Sequence, residues 1–382
     1  MLAITNTTIH TPTQDPHNTA VLIQNGRITH LSPTADLSIP PHAEIIDGSG
    51  LLLTPGFIDL QFNGAFGHDF TADPSTIWSV SARVAQYGVT AYLPTIITSP
   101  LENIDHARHV LLNERPPGYQ GAEPLGLHIE GPFLNRQKKG AHNPVYIQPP
   151  DLAHVAGWSP EGGVHLVTLA PEIPGALPVI EALAARGILV SAGHSMATYD
   201  ETLAGIAAGI RYGTHLFNAM PPVGHRQPGL PIALLTAPET TVGLIPDGIH
   251  VHPALIKIIW AAKGSEGLNL VSDAMAALGM PPGKYLLNEF EVTVTETDSR
   301  LPDGTLAGSI LPIDAALRNL IAFTGCTLPE ALATVTTTPA RLLGIDHERG
   351  RIAPGHIADM VLLSADLQVH TTIASGKIVY QN

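Results

Sequence analysis

The sequence contains one cysteine, few charged residues and no long uncharged apolar run. Because Cys326 has no partner in the chain, an internal disulfide framework is excluded, and we expect a reducing, cytoplasmic location. No run approaches the roughly 18 apolar residues that a membrane-spanning helix needs, so no membrane span is expected. The first residues, MLAITNTTIHTPTQ, carry neither the basic nor the apolar region of a signal peptide.

Basic residues are also scarce. The chain of 382 residues has 19 Lys and Arg against 33 Asp and Glu, which is a formal net charge of −14 at pH 7. A balance this acidic argues against binding to nucleic acid or to an anionic membrane. Charged residues make up 14% and hydrophobic residues 44% of the chain, which indicates a folded protein with a large core. Histidine, in contrast, occurs 19 times, so the positions of the histidines are informative.

Both ends of the chain show the pattern of short β-strands separated by turns. Residues 1–55 alternate apolar and polar side chains, with Asn25-Gly26 as a hairpin signal, and residues 346–382 show the same pattern. We expect the two ends to pair into one small β-sandwich domain.

The middle of the chain, residues 56–345, alternates apolar strand-like runs with helical patterns. Eight apolar strands that alternate with helices predict a parallel (β/α)8 barrel of the TIM type, so the expected fold class is α/β. A strand-like segment near 284–310 interrupts the alternation and predicts an inserted hairpin, and helices are expected at about 312–323 and 328–343. The eight runs are 56–64, 89–97, 125–131, 164–172, 188–195, 212–220, 241–250 and 268–275.

Most of these runs end in polar side chains that a core strand does not need. Because the catalytic groups of such barrels come from the carboxyl ends of the strands, these residues are expected to face one site. For any single histidine, a hydrogen-bonded place in the core or at the rim is the better interpretation, but a convergent set favours a site. The residues are Asp59, Gln61, Asn63, His128, Glu130, His194, His215, Asn218, Asp247, His250 and Asp273.

Histidine and carboxylate side chains on different strand ends suit a divalent metal of the zinc type. Glu130, His194 and His215 would make a site of two imidazoles and one carboxylate, with a coordination position left open for water. Asp273, on the last strand, is expected beside that water as a general base.

Six motifs in a fixed order carry a resemblance to a known family. They are TPGFIDLQFNG, HIEGPF, GHS-x-AT, THLFNAM, DG-x-H and SDAM, and GRIAPGHIADMVLL follows near the C-terminus. Over essentially its whole length the chain resembles the N-acetylglucosamine-6-phosphate deacetylases of the amidohydrolase superfamily. PGFID marks only the superfamily, whereas HIEGPF and THLFNAM together are specific to these deacetylases.

The resemblance implies a metal site on the third, fifth and sixth strands, with Glu130, His194 and His215 as ligands. It implies Asp273 as the catalytic acid and base, a sugar phosphate as the small-molecule substrate, and a homodimer. The implied substrate contacts are Ala141, His142, Asn218, Ala219, Arg226, His250, Leu306, Ala307 and Gly308.

One triplet departs from the superfamily pattern. Many amidohydrolases have His-x-His at the end of the first strand as ligands of a second metal, and Gln61-Phe62-Asn63 stands at that place here. Neutral amides are poor zinc ligands compared with imidazole. We therefore expect one divalent ion per chain, with Zn²⁺ as the first choice and Fe²⁺, Mn²⁺ or Co²⁺ as the others. Gln61 and Asn63 are expected to lie beside the ligands or to bind water. The alternative, that they only form hydrogen bonds at the barrel rim, remains open.

The implied reaction is hydrolysis of the acetamide of N-acetyl-D-glucosamine 6-phosphate to D-glucosamine 6-phosphate and acetate. His142 is the candidate donor to the carbonyl oxygen, although an exposed loop histidine is the better interpretation without the resemblance. Arg226 is the candidate phosphate contact, either in its own subunit or in a neighbouring one. The usual interpretation of a lone arginine is a solvent-exposed side chain. The paired lysines at 138 and 139 are interpreted as solvated.

Three alternatives remain open. A cyclic amidase of the same superfamily usually has His-x-His and often a lysine on the fourth strand, and VHLVTLAPE contains no lysine. A deacetylase for the galactosamine epimer differs by one hydroxyl orientation, which leaves little trace in a sequence. A barrel without enzymatic activity is disfavoured because Glu130, His194, His215 and Asp273 are all present.

Overall fold

The eight apolar runs form the eight strands of a parallel barrel in the computed structural model, which describes residues 1–11 and 18–382. Each strand pairs in parallel with the next one along the chain, and a short strand at Glu123–Pro124 adds to the second. The barrel strands are Phe57–Phe62, Val89–Ile97, Leu127–Glu130, Val164–Leu169, Leu189–Ala192, Ile210–Gly213, Thr241–Leu244 and Leu268–Leu270.

The strands are continuous apolar runs because both of their faces are buried. All nine residues of Val89–Ile97 are buried, for example, as expected where helices cover the outside of a parallel sheet. The sixth run differs from the prediction, since its strand begins at Ile210 and ends at Gly213. His215 and Phe217 have φ angles of 29° and 76°, which no strand accommodates, so the chain leaves the sheet there.

Backbone hydrogen bonds between the end of the first strand and the segment that follows the last strand close the barrel. At the carboxyl ends, Asp273 N donates to Gln61 O at 2.9 Å and Asn63 N donates to Ala274 O at 2.8 Å. We call these two bonds the seam. Because the seam residues include three of the predicted site residues, closing the barrel also assembles part of the site.

Helices cover the outside of the barrel, and the structure corrects one of their predicted bounds. Residues 328–343 form two helices instead of one, because the carbonyl oxygens of Thr334 and Val335 accept hydrogen bonds from Leu270 N and Ile58 N of the barrel. In the described part of the chain, no helix is both long and apolar enough to cross a membrane. The helices are Ile77–Ser81, Leu101–Asn113, Ala176–Ala185, Tyr199–Ala208, Gly229–Thr236, Pro253–Lys263, Ile313–Thr324, Leu328–Ala333 and Thr337–Leu342.

The two ends of the chain form a separate sheet, which confirms the predicted fold class. Leu52–Pro55 pairs with Met360–Leu363 and so joins the N-terminal to the C-terminal strands. The predicted domain bounds, 1–55 with 346–382 and 56–345, stay a prediction, and residues 12–17 lie outside the described residues. The strands are Leu2–Ile9, Thr19–Gln24, Arg27–Pro33, Glu44–Asp47, Leu52–Pro55, Met360–Leu363, Val369–Ala374 and Lys377–Gln381.

An antiparallel hairpin follows the last barrel strand. Gly283–Leu287 pairs with Phe290–Val294, and Ser299–Arg300 adds a third, short strand. The buried side chains of this sheet, Val292 and Val294 among them, pack in one cluster with Ala141 and with Met275 just after the seam. This packing places the hairpin beside the carboxyl ends of the barrel strands.

A buried ion pair anchors the C-terminal segment, and its loss is expected to destabilise the fold. Arg349 and Asp359 are 8% and 5% exposed, and Asp359 also accepts a hydrogen bond from Ser375 N at 2.7 Å. Arg349→Met leaves a buried carboxylate without its cation, so we expect the free energy of unfolding to fall by about 3–5 kcal/mol in urea denaturation. Arg27→Met is the matched control, because the pair of Arg27 with Glu348 is 49% and 33% exposed and is expected to contribute about 1 kcal/mol or less. Equal losses in the two variants would contradict this account.

Candidate active site

Glu130, His194 and His215 form one buried cluster at the carboxyl ends of the third, fifth and sixth barrel strands. Glu130 Oε1 lies 3.1 Å from His194 Nε2 and 3.0 Å from His215 Nε2, and the two Nε2 atoms lie 3.1 Å apart. The glutamate side chain is 3% exposed and each histidine side chain is 5% exposed. The structure thus brings the three predicted ligands together and directs one atom of each toward a common point.

The hydrogen bonding of His194 tests whether this cluster suits a metal ion. His194 Nδ1 lies 2.8 Å from the carbonyl oxygen of Lys138, which can only accept, so Nδ1 carries the proton. In the neutral ring, Nε2 then carries a lone pair, which faces the carboxylate of Glu130 and the imidazole of His215. His194 Nε2 and Glu130 Oε1, both without a proton and 3.1 Å apart, repel each other unless a cation lies near them, and two histidines with one glutamate are a known zinc donor set. The residues therefore fit a divalent metal.

Gln61 and Asn63 contact the two carboxylates of the site. Gln61 Nε2 donates to Glu130 Oε1 at 3.1 Å, and Asn63 Nδ2 donates to Asp273 Oδ1 at 2.8 Å. These bonds orient the carboxylates, as groups behind metal ligands commonly do. Gln61 Oε1 and Asn63 Oδ1 are buried and have no hydrogen-bond partner among the described residues, so the predicted binding of water at these oxygens stays a prediction.

Asp273 is a buried carboxylate beside the cluster. Burial raises the pKa of Asp273 to about 6, and the negative charge of Glu130 adds to the rise. The positive charges of His215 and His250 and the hydrogen bond from Asn63 act in the opposite direction. A carboxyl group whose pKa lies near neutrality can both accept and return a proton.

His142 lies on a loop after the third strand and is buried against the cluster. Thr98 N donates to His142 Nδ1 at 3.3 Å, so Nδ1 accepts and the proton of the neutral ring is on Nε2. Nε2 lies 3.8 Å from Glu130 Oε2. Burial, together with the positive charge of His194, lowers the pKa of His142 to about 3, so the ring is a neutral hydrogen-bond donor at pH 7.

Two polar residues of the strands lie inside the barrel and outside the cavity of the site. His128 Nε2 lies 2.7 Å from Thr168 Oγ1, and burial lowers the pKa of His128 to about 4. Asp59 accepts hydrogen bonds from Gln61 N at 3.2 Å and from Ser272 N at 3.3 Å, and burial raises its pKa to about 7. Both side chains connect neighbouring strands of the barrel interior.

The cluster lines a cavity of about 580 Å³ that also contains most of the predicted substrate contacts. Two predicted contacts lie elsewhere in this chain. Ala307 is fully buried and does not line the cavity, and Arg226 is exposed to solvent outside it. The predicted residues that do line the cavity are Asn63, Glu130, Ala141, His142, His194, His215, Asn218, Ala219, His250, Asp273, Leu306 and Gly308.

His250 is held in the cavity wall by the aspartate of its own motif. Asp247 Oδ2 lies 2.6 Å from His250 Nδ1, while Asp247 Oδ1 accepts from the backbone N–H groups of Ile249 and His250. The side chains of the pair are 10% and 6% exposed. Asp247 therefore fixes the proton on Nδ1 and the plane of the imidazole ring.

Four residues that line the cavity have left-handed backbone conformations. The φ angles are 49° at His194, 29° at His215, 50° at Ala219 and 48° at Asp273. Such angles disfavour a residue with a Cβ atom, and they cluster at functional sites where the surroundings enforce them. The sharp turn after each strand directs the side chain inward.

Several charged residues of the cavity were not predicted as site residues. Lys138 and Lys139, interpreted as solvated, line the cavity, and the hairpin contributes Arg300 and Asp303. The available signal was the run DSRLPDGT directly before the Leu306 motif, but a single sequence does not show that this run folds over the barrel.

The comparison with protein families identifies the class to which this fold and site belong. The amidohydrolase family model matches residues 52–379. The chain therefore belongs to the amidohydrolase family and is a hydrolase. Amidohydrolases depend on a metal, and the cluster of Glu130, His194 and His215 supplies a site for one.

Individual relatives narrow this assignment. The N-acetylglucosamine-6-phosphate deacetylase of Rattus norvegicus is 40% identical over 353 residues, covering 88% of this chain and 85% of the relative. The structure of the Pasteurella multocida enzyme of that name superposes with a TM-score of 0.93 at 32% identity over all of both chains. A mutant of the Mycobacterium smegmatis enzyme, solved in complex with N-acetyl-D-glucosamine-6-phosphate, gives a TM-score of 0.90 at 32% identity, covering 100% of this chain and 99% of that chain. The chain belongs to the N-acetylglucosamine-6-phosphate deacetylases, and the predicted family is confirmed.

Proposed function

We propose that this chain hydrolyses the acetamide of N-acetyl-D-glucosamine 6-phosphate to D-glucosamine 6-phosphate and acetate. The observation that carries the proposal is the convergence of two histidines and two carboxylates, Glu130 and Asp273, in one buried cavity of a chain with these relatives. The ligand named for the Mycobacterium smegmatis structure is this same sugar phosphate.

Glu130, His194 and His215 hold one divalent ion in this proposal, with Zn²⁺ as the first choice and Fe²⁺, Mn²⁺ or Co²⁺ as alternatives. When bound, such an ion supplies Lewis acidity, which polarises a carbonyl group and lowers the pKa of water from 15.7 toward about 7. The arrangement of the donor atoms supports the assignment, because Glu130 ends its strand, His194 and His215 follow theirs by two residues, and all three face one point.

Asp273 moves the proton. Its carboxylate takes a proton from the water that attacks the acetyl carbonyl and returns a proton to the amide nitrogen as the C–N bond breaks. One water is consumed, and the products are acetate and the free amine. The elevated pKa of Asp273, about 6, suits both steps, since the group is mostly ionised at pH 7 and still basic enough to hold the proton.

His142 donates from Nε2 to the acetyl oxygen as negative charge builds on it. The Thr98 N–H bond to Nδ1 fixes this tautomer, and burial keeps the ring from rotating into water. The loss of one such donor typically lowers the rate by about 10²- to 10³-fold.

The remaining contacts place the sugar and its phosphate. We assign His250, which Asp247 orients, to the phosphate end of the substrate. We retain Arg226 as a contact that reaches a neighbouring subunit, because in its own chain Arg226 is exposed outside the cavity. The other assigned contacts are Ala141, Asn218, Ala219, Leu306, Ala307 and Gly308, with Ala307 acting by packing behind its neighbours.

The function is tested by incubating the purified chain with N-acetyl-D-glucosamine 6-phosphate and measuring acetate and free amine. Equal amounts of both are expected. The galactosamine epimer, unphosphorylated N-acetylglucosamine and dihydroorotate are the comparison substrates, and each is expected to have a lower kcat/KM. A higher kcat/KM for the epimer would overturn the choice of sugar, and hydrolysis of dihydroorotate alone would overturn the deacetylase assignment.

One tightly bound divalent metal per chain is expected by elemental analysis. Three ligand side chains converge on one point, while Gln61 and Asn63 stand where a second pair of ligands would be needed and instead bond to carboxylates. A reproducible content of two metals per active chain would contradict the assignment of a single metal site.

We propose a homodimer and a cytoplasmic location. The homodimer is supported by exposed large apolar side chains within one stretch of the chain that includes the Arg226 loop. The single cysteine supports a reducing compartment. Sedimentation analysis decides the oligomeric state. The apolar residues are Val223, Ile249, Leu255 and Ile258.

A further inference from the structure

Glu172 is a half-buried carboxylate that follows the fourth barrel strand, Val164–Leu169, by three residues. It does not line the cavity of the active site, so it does not contact a substrate bound there. Within residues 1–11 and 18–382 it forms no ion pair, and its hydrogen-bond donors are all neutral groups. These donors belong to the loops that follow the third and the fifth barrel strands.

Glu172 holds the turn that follows His194. Glu172 Oε2 accepts a hydrogen bond from Ser195 Oγ at 2.7 Å, and Glu172 Oε1 accepts one from Met196 N at 2.7 Å. The φ angle of His194 is 49°, and a residue with a Cβ atom keeps such an angle only where its surroundings enforce it. The two bonds fix the residues directly after this left-handed position.

Glu172 also holds the loop that contacts the ring of His194. Glu172 Oε1 accepts a second hydrogen bond, from Asn135 Nδ2 at 2.8 Å. Asn135 caps the short helical turn Arg136–Lys138, and the carbonyl oxygen of Lys138 accepts from His194 Nδ1 at 2.8 Å. Both the backbone and the ring of His194 are therefore held by segments that Glu172 contacts directly.

The direction of His194 Nε2 depends on these two segments. Asn135 N donates to His194 O at 2.9 Å, and this is the bond that still joins the two loops when the carboxylate is removed. A single backbone bond leaves the ring free to tilt, which would turn Nε2 away from Glu130 Oε1. Groups that orient a metal ligand in this way typically change the metal affinity by about 10- to 100-fold when they are lost.

We propose that Glu172 is a positioning residue that sets the affinity of the site for its metal by holding His194 from both sides. The inference rests on the proposed function, because it requires a metal held by Glu130, His194 and His215. Glu172 acts through His194 and takes no part in substrate binding or proton transfer. A carboxylate suits this place because its two oxygens accept from an amide, a hydroxyl and a backbone N–H group at once.

The test measures how tightly the metal-loaded chain holds Zn²⁺, by competition with a chromophoric chelator and without any substrate. Glu172→Ala removes all three contacts, and we expect the Kd for Zn²⁺ to rise about 10- to 100-fold. Glu172→Gln keeps one oxygen as an acceptor for Asn135 and Met196, and its amide can donate to Ser195 Oγ. We therefore expect this conservative variant to restore most of the affinity.

Glu181→Ala, on the exposed face of the helix Ala176–Ala185, is the matched control and is expected to hold Zn²⁺ as the parent does. Asn135→Ala removes only the contact on the ring side and is expected to raise the Kd by about tenfold. It tests the same connection if Glu172→Ala gives no folded protein. An unchanged Kd in Asn135→Ala and in Glu172→Gln would then overturn the proposal.

Two further measurements separate positioning from a merely structural role. The visible absorption of the Co²⁺-loaded chain reports the coordination geometry, and we expect it to change in Glu172→Ala and to return toward the parent in Glu172→Gln. The Tm in excess chelator is expected to stay within about 4 °C of the parent. A lower Tm with an unchanged Kd and an unchanged Co²⁺ spectrum would show a structural role and overturn the proposal.

The outcomes for the inference and for the proposed function differ. If the parent holds Zn²⁺ and releases acetate from the sugar phosphate, but Glu172→Ala holds the ion as tightly, the inference fails while the function stands. If the Kd rises in Glu172→Ala as expected and the parent releases no acetate, Glu172 positions a metal ligand and the proposed reaction is wrong. A parent chain that holds no divalent ion would overturn both.

Discussion

Asp273→Asn is expected to lower kcat about 10³-fold or more while the metal content stays at one per chain. The variant is nearly isosteric, but an amide neither accepts the proton of water nor returns it to the leaving nitrogen. General acid–base catalysis typically contributes about 10²- to 10⁴-fold, and Asp273 serves both half-reactions, so a barrier increase of about 4 kcal/mol is expected. The measurement is kcat on the phosphorylated sugar, with elemental analysis of the same preparation.

The control for this variant is Asp105→Asn, the same chemical change at an exposed residue of the helix Leu101–Asn113. It is expected to leave kcat within about twofold. If Asp273→Asn kept more than about a tenth of the activity, a difference below ~1.4 kcal/mol, another group would have to be the general base.

Glu130→Gln is expected to abolish both metal retention and activity. Glu130 Oε1 is the atom at which the contacts of His194, His215 and Gln61 meet, so this oxygen has no substitute in the cluster. A neutral amide is a poor zinc ligand, and the change also removes the only negative charge among the three ligands. After dialysis we expect well under one metal per chain. We also expect kcat/KM to fall by about 10³-fold or more, because without the metal neither the water nor the acetyl carbonyl is activated or positioned.

Glu181→Gln, on the exposed face of the helix Ala176–Ala185, is the matched control and is expected to retain one metal. Thermal unfolding of the metal-depleted parent and of Glu130→Gln distinguishes a lost ligand from a lost fold, because both are expected to be destabilised to a similar extent. A Glu130→Gln variant that still held one metal per chain after dialysis would show that the ligands lie elsewhere.

The barrel could be predicted because its strands are buried on both faces and therefore read as apolar runs. The second strand, Val89–Ile97, agrees with the predicted run at both ends. The predicted ends of helices and strands were less accurate where hydrogen bonds to other parts of the fold compete with the local sequence pattern. The pattern of residues 328–343 predicts one helix. In the structure, however, barrel strands donate hydrogen bonds to the carbonyl oxygens of Thr334 and Val335, and the helix is divided in two.

The metal cluster could be predicted because barrel topology brings all strand ends to one face, whatever their separation in sequence. The same rule does not extend to loops. Arg226 and Arg300 both lie in loops rich in glycine and proline, and only the folded hairpin shows which of them lines the cavity of its own chain. A single sequence does not show which loop lines the cavity of its own chain, and the role of Arg226 stays a prediction.

The left-handed residues of the site have a consequence for engineering. Angles such as those of His194, His215 and Asp273 cost of order 1–3 kcal/mol each, and elsewhere in the described chain many of the similar turns are made by asparagine, which tolerates them better. At Asp273, which is not a metal ligand, selection for thermostability alone would favour Asn or Gly and would remove the general base. At His194 and His215 the same replacement would relieve the backbone but also remove a metal ligand, and the loss of the metal opposes the gain. Screens for thermostable variants therefore also need to select for catalytic activity, because the positions where a substitution would relieve backbone strain include the catalytic residue and two metal ligands.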